Sequence, residues 1–343
     1  MSLLICIQAL GIPLFNHAEH AELPEINMGM GSERSLTSWI SLGGQGFDTA
    51  WAYGSQQAAL GQVISRSGRN RSDFYITTKI PCCPGFGDFG ENVVGVGTCY
   101  YVKKQSLNAS ELIEQDLRRL SLEYIDLLLL HWPCRNLEDT ITAYKAMEPF
   151  VFIGRVRALG VSNFNRTILQ SFLPFISVQP YANQCPFSVA SHAVPQFGGD
   201  LQTLRFCQEK GIRYSAYSPL AGFWPVTHGW STSALLSDPT VTQIARKYNA
   251  SSAQVALRWL TQQRIAVVTA SYSGNPRHLK DALTAHRTLL SSDDTDRLAH
   301  VSSKVSEMSR IHERRFSGWY SLTVVLALIS ARTCRSSFYG RIV

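Results

Sequence analysis

The spacing of apolar residues changes period repeatedly along the chain. Residues 124–133 read YIDLLLLHWP, a short apolar run with no helical spacing, bounded by an acid before and a proline at its end. Such a run predicts a strand buried on both faces, as in a parallel sheet. Strand-like runs recur at 23–31, 45–50, 73–80, 155–164, 177–185, 212–222 and 266–271. Between them the spacing becomes helical, at 56–67, 108–120, 137–152, 201–211, 238–249, 252–263 and 275–286. In 108–120, Leu112, Ile113, Leu117 and Leu120 share one face, and Asn108 or Ser110 supplies the cap. Gly211 suits the C-terminal cap of the helix before it.

Strands alternating with helices, with no run of hairpins, predict parallel strands joined by helical crossovers. Eight such units favour an α/β protein of the closed (β/α)8 TIM barrel type over an open sheet, with long loops at the C-terminal face of the strands. One barrel domain is expected over residues 1–308, with 309–343 a basic, apolar tail outside it. The GxGxxG match GFGDFG at 85–90 follows a strand, but ENVVGVGT after it is no helix. It therefore lacks the helix N-terminus that a pyrophosphate requires. The stretch 81–107 is long for a connection and rich in Pro, Gly and Cys. It begins beside Lys79 and is expected to wall one side of a pocket.

Composition narrows the function classes. The 343 residues are 45% hydrophobic and 17% charged, which suits a large buried core. Of the net charge of +7, the part after Ser309 carries +5, from six arginines and one glutamate. No dense basic patch interleaved with aromatics appears, so no nucleic-acid partner is expected. The eight cysteines form no CxxC and no zinc spacing, and read as reduced thiols of a cytoplasmic protein with no metal site. The apolar start carries no basic residue before Arg34, unlike a signal peptide. The apolar run at 320–330 is too short to span a bilayer, so no stable membrane insertion is expected. A monomer is expected.

The chemistry gathers at strand ends. The second, third and fourth strands each finish on an ionisable residue: Asp48, Lys79 and His131. In a (β/α)8 barrel that end carries the active site. Tyr53 follows Asp48 by five residues and can overhang the same rim. A tyrosine with an ordinary pKa of about 10 is a poor acid at neutral pH, but a neighbouring ammonium stabilises the phenolate. Asp48 can hold Lys79 in place, and His131 can orient a substrate oxygen. A proton donor with no nucleophile beside it fits carbonyl reduction, in which hydride reaches carbon as the proton reaches oxygen. The aromatics Trp51, Phe86, Trp132 and Trp224, just past strand ends, are candidates for a carbonyl-substrate pocket. Plainer readings stand beside these. As minor alternatives, Asp48 and Lys79 read as a structural ion pair, Asn163 as a turn cap, Tyr217 as barrel filling, and Gln184 as a partner for a buried carbonyl.

Several segments together resemble the aldo-keto reductase superfamily: FDTAWAYG, YITTK, LLLLHWP, VRALGVSNF, YSAYSPLAG and AQVALRWL, within residues 22–305. The resemblance implies a barrel that binds NADPH, with NADH or dual use open, across its mouth and reduces a small carbonyl compound, in secondary metabolism for instance. Tyr53 would be the proton donor, Lys79 and Asp48 its tuners, and His131 the carbonyl-orienting residue. Ser162, Asn163 and Gln184 match the residues that hold the nicotinamide amide, and Tyr217 the aromatic that stacks on its ring. Ser218, Pro219 and Leu220 match the loop along the pyrophosphate. Tyr272, Ser273 and His278 fall on the adenosine phosphate. There Tyr272 and His278 replace the usual lysine and arginine, with Arg277 adjacent. The family also includes regulatory potassium-channel β subunits, so a cofactor-binding subunit without significant turnover is the alternative. A metal-dependent hydrolase would need clustered ligands, and the strand ends supply one histidine.

Overall fold

The computed structural model describes residues 22–29, 31–82, 108–222, 231–271 and 273–301. Eight parallel strands close into the expected barrel. They are β1 (Ile26–Met28), β2 (Gly46–Asp48), β3 (Tyr75–Ile80), β4 (Ile125–Leu130), β5 (Val156–Ser162), β6 (Ala182–Pro186), β7 (Arg213–Tyr217) and β8 (Ala266–Thr269). Each pairs with the next, and β8 pairs back onto β1.

The apolar run of β4 explains itself. Leu127 and Leu129 join Leu23, Tyr75, Ala158 and Ala182 in the cluster that fills the barrel, while Leu128 and Leu130 belong to the layer beneath the helices. The interior is tight: a Cβ on Gly160 of β5 would lie 2.6 Å from the Ala182 carbonyl oxygen and from Leu129 Cδ2. Leu23, ahead of β1, plugs the floor, and its N–H donates to the Tyr181 hydroxyl (3.3 Å).

The outer layer comprises α1 (Glu33–Ser41), α2 (Ser55–Arg66), α3 (Ala109–Leu120), α4 (Leu137–Lys145), α5 (Pro149–Phe152), α6 (Arg166–Phe172), α7 (Leu201–Glu209), α8 (Thr232–Ser237), α9 (Pro239–Lys247), α10 (Ser252–Thr261), α11 (Pro276–Leu283) and α12 (Ser292–Ala299). Asn108 caps α3, with Glu111 closing a reciprocal capping box. None of the helices among the described residues is long and apolar enough to cross a membrane.

Four features depart from the expectation. The helix expected over 137–152 breaks at a tight turn, because Pro149 has no N–H with which to continue it and instead opens α5. Helices α1, α6, α8 and α12 are additional. A small hairpin, Ala193–Val194 with Gly199–Asp200, sits between β6 and α7. Finally, Cys82 and Cys134, read as reduced thiols, form a disulfide. β3 and β4 are neighbours, and the turns after them bring the two Cα atoms to 5.3 Å, within bonding reach. Cys185 and Cys207 are free and buried.

Away from the mouth, Asp126 of β4 anchors a polar cluster. Its carboxylate accepts from Arg71, from Arg157 (3.0 Å) and from the Ile76 N–H (2.8 Å). Both guanidinium groups also lie over the Tyr124 ring, at 4.0 and 3.8 Å. Removing the carboxylate would leave two cations and an amide without their partner. Asp126→Ala is therefore expected to lose about 3–5 kcal/mol of unfolding free energy. Urea denaturation checks this, and a loss under about 1 kcal/mol, the scale of a surface pair, would contradict it.

Candidate active site

Three strands deliver three ionisable side chains to one rim. β2 ends on Asp48 and β3 carries Lys79 one residue before its end, while His131 directly follows β4. Lys79 is buried, 1% exposed, and so must be paired. Its ammonium donates to Asp48 Oδ1 (2.5 Å) and to the Thr49 carbonyl (2.9 Å). The other carboxylate oxygen, Asp48 Oδ2, accepts from Gln184 Nε2 (2.7 Å). The chain after Asp48 makes one 3₁₀ turn, Trp51–Tyr53, closed by Tyr53 N–H donating to the Ala50 carbonyl (2.9 Å). That turn sets the Tyr53 ring with its centroid 5.6 Å from Lys79 Nζ and 6.1 Å from the His131 ring, edge to face.

Burial, and then the Lys79 charge, hold His131 well below the ordinary histidine range, so it is neutral at physiological pH. Its Nδ1 is buried without a hydrogen-bond partner. The ring stacks on Trp132 at 6.0 Å, and Trp132 meets Phe197 edge to face at 5.7 Å. Trp132 Nε1 is likewise buried and unpartnered.

The residues matched to the nicotinamide amide gather beside this group. Ser162 Oγ donates to the Gln184 carbonyl (2.8 Å), and Asn163 Nδ2 to the His131 carbonyl (3.0 Å). Tyr217 OH donates to Asn163 Oδ1 (3.0 Å). Burial keeps that phenol well above its ordinary pKa, hence neutral and able to donate. After β7, Ser218 and Ala221 take left-handed φ of 53° and 60°, and Pro219 and Leu220 lie between them. Ser273 precedes α11, and His278 is exposed in its first turn beside Arg277. Ser271 Oγ, just ahead, is buried without a partner. A flat half-buried ring, amide and hydroxyl groups beside it, and a helix N-terminus with a cation fit a nicotinamide dinucleotide. No group of three or more metal-ligating side chains occurs among the described residues.

The model of the Aldo/keto reductase family matches residues 32–303, and the chain belongs to that family. It is 28% identical to D-galacturonate reductase of Fragaria ananassa, covering 82% of this chain and 88% of that one. It is 29% identical to morphine 6-dehydrogenase of Pseudomonas putida, covering 85% and 92%. The crystal structure of MGS-M4, an aldo-keto reductase enzyme from a deep-sea metagenome library, is similar with a TM-score of 0.66 over 82% of this chain and 92% of that one. At 24% identity that likeness speaks to the fold alone. The chain is thus an oxidoreductase of a family that acts on carbonyl groups with nicotinamide cofactors.

Trp51, expected as a pocket residue, contacts α3: its Nε1 donates to Gln115 Oε1 (3.0 Å), and the Arg119 guanidinium lies 4.7 Å over its ring. In a 3₁₀ turn of three residues per revolution, Trp51 and Tyr53 point to different sides. Tyr272, Phe86 and Trp224 lie outside the described residues. The sequence reading missed Phe197, which closes the wall against Trp132. A lone phenylalanine in a connection carries no period to flag it.

It also missed Asp116. This carboxyl is fully buried between α2, β3 and α3, where it accepts from Gln57 Nε2 (2.7 Å) and the Thr78 hydroxyl (2.8 Å), one residue from Lys79. Burial pushes it up from 3.8 to about 7, against the hydrogen bonds from Gln57 and Thr78 and the charges of Arg119 and Lys79. The unfolded chain releases this proton near pH 4 and the folded chain near pH 7. The folded state therefore holds more protons across that window, and stability falls as pH rises through it. Asp116 alone is expected to cost the folded state about 4 kcal/mol between pH 4 and pH 7, and nothing further above. Asp116→Asn keeps an acceptor for Gln57 and removes the titration. Urea unfolding of both proteins across that range tests this: the variant should lose less stability than the wild type, and parallel curves would contradict it.

Proposed function

We propose that this chain reduces an apolar or aromatic aldehyde or ketone to the alcohol with a nicotinamide cofactor, NADPH in preference to NADH. The observation that carries this reading is the buried Asp48–Lys79 pair beside the Tyr53 ring, with a neutral His131 on its other side. The bound cofactor supplies the hydride. Tyr53 gives its phenolic proton to the substrate oxygen as negative charge develops there. The Lys79 ammonium stabilises the phenolate left behind, and Asp48 fixes the ammonium. His131 donates to the same oxygen and orients the carbonyl. As a neutral imidazole it does so without adding a second positive charge beside Lys79.

Ser162, Asn163 and Gln184 would hold the nicotinamide amide by exchanging part of their mutual hydrogen bonds for it, with the Tyr217 ring as the stacking surface. Ser218, Pro219 and Leu220 would follow the pyrophosphate. Ser273 and His278 would meet the adenosine phosphate, with Arg277 next to His278 in the chain. Arg277, exposed in the first turn of α11, would supply the positive charge for that anion. Trp132 and Phe197 would line the substrate side. An aromatic wall of this kind suits an apolar carbonyl compound better than a charged one.

Fluorescence titration with NADPH and NADH, followed by turnover on a panel of aldehydes, tests the reading. The wild type should bind NADPH more tightly than NADH, and Arg277→Ala should narrow the gap. Tyr53→Phe and Lys79→Met should keep cofactor binding and lose kcat by about 10²–10⁴-fold. Wild-type turnover in Tyr53→Phe, or binding of neither cofactor, would refute it.

A further inference from the structure

Two neighbouring strands of the barrel end alike. Lys79 of β3 is followed three residues later by Cys82, and His131 after β4 is followed three residues later by Cys134. The two cysteines are bonded to each other across 52 residues of chain. The last ladder contact between these strands is the His131 N–H donating to the Ile80 carbonyl (2.9 Å), and the disulfide ties the two turns just beyond it. Cys134 is also anchored outward, its N–H donating to Thr140 Oγ1 of α4 (3.0 Å). Both cysteines are buried, so this link belongs to the packed rim.

The two residues that the link brackets are held unequally. Lys79 has its own hydrogen bonds to Asp48 and Thr49. The His131 ring rests between Tyr53 and Trp132 with its Nδ1 unpartnered, so its aim follows the placement of its backbone. On the β5 side the His131 carbonyl is held by Asn163. On the β3 side, past the ladder, the disulfide supplies the covalent restraint.

We propose that the Cys82–Cys134 disulfide is a positioning clamp for the reaction: it holds His131 in register with Lys79 and Tyr53, and its reduction by a dithiol slows carbonyl turnover while leaving cofactor affinity intact. The inference rests on the carbonyl-reductase reading above. Cofactor affinity is spared because Ser162, Asn163, Gln184 and Tyr217 stand on β5 to β7 and the turns after them, bonded to one another, and Asn163 meets the clamped turn through the His131 backbone carbonyl and not its ring. In the exchange, a thiolate of the dithiol attacks one sulfur of the pair. The S–S bond breaks, the other cysteine leaves as a thiolate and takes up a proton, and a mixed disulfide remains. The second thiol of the reductant displaces it, so two protein thiols and one oxidised dithiol result, with two electrons passed to the protein. Running the exchange backward with the oxidised dithiol restores the clamp.

The test uses the full chain. Alkylation before reduction, then peptide mass analysis, establishes the Cys82–Cys134 link. Dithiothreitol then opens it, oxidised dithiothreitol closes it, and kcat, aldehyde KM and NADPH affinity are measured in each state. The expected result is a fall in kcat of about 10- to 100-fold on reduction, unchanged NADPH affinity, and recovery on re-oxidation. The double variant Cys82→Ser with Cys134→Ser should match the reduced form and fail to recover. Should that variant not fold, the reversible wild-type experiment decides. Equal kcat in the two redox states, NADPH affinity falling in parallel with kcat, or both cysteines alkylated before any reduction, would overturn the clamp alone. An oxidised protein that binds NADPH but reduces no aldehyde would overturn the reductase reading and the clamp with it.

Discussion

A buried lysine and a buried aspartate inside one barrel mouth are the constraint on which this structure turns. Taking two charges out of water costs several kcal/mol each unless geometry and further hydrogen bonds offset it. Here the offset is distributed over the rim. Asp48 on β2 receives Lys79 from β3 and Gln184 from β6, and the Gln184 carbonyl receives Ser162 from β5. Four strands are thereby committed to one arrangement. Loss of either charged partner would strand the other in a low-dielectric interior, so the pair fixes the barrel mouth as much as it serves the phenol beside it.

The two polar clusters of the barrel divide the work. The Asp126 cluster ties β4 to β5 and to the approach to β3 with groups that have no opening to the mouth. The rim cluster keeps unspent capacity: His131 Nδ1 and Trp132 Nε1 are buried without partners. Unsatisfied buried donors are costly.

Much of this was legible from spacing. The run at 124–133 reads as a strand buried on both faces, and Leu127 to Leu130 divide between the two layers as that demands. Once strand ends were placed, Asp48, Lys79 and His131 had to share a rim. Where the pattern failed, the reasons are local. Helix α6 buries only Leu169 and Phe172, too few apolar residues to show a period. Helix α1 buries Ser35 with Leu36 and Trp39, and a buried serine reads as solvent-facing. The contacts of Trp51 with α3 were not legible, because a single 3₁₀ turn rotates it away from Tyr53. The pairing of Cys82 with Cys134 depends on which strands are neighbours, and eight cysteines permit many pairings. Asp116 carried no signal in the sequence because its partners, Gln57 and Thr78, are far away along the chain.

The most direct measurement follows the hydride. The full-length chain would reduce an aromatic aldehyde with NADPH carrying deuterium at the transferable position of nicotinamide C4, and the alcohol would be analysed by mass and by NMR. One cofactor-derived deuterium on the carbinol carbon of each product molecule, with cofactor consumed in equal amount, is the predicted result. Alcohol without deuterium at that carbon, or no alcohol while NADPH is demonstrably bound, would contradict hydride transfer at this site.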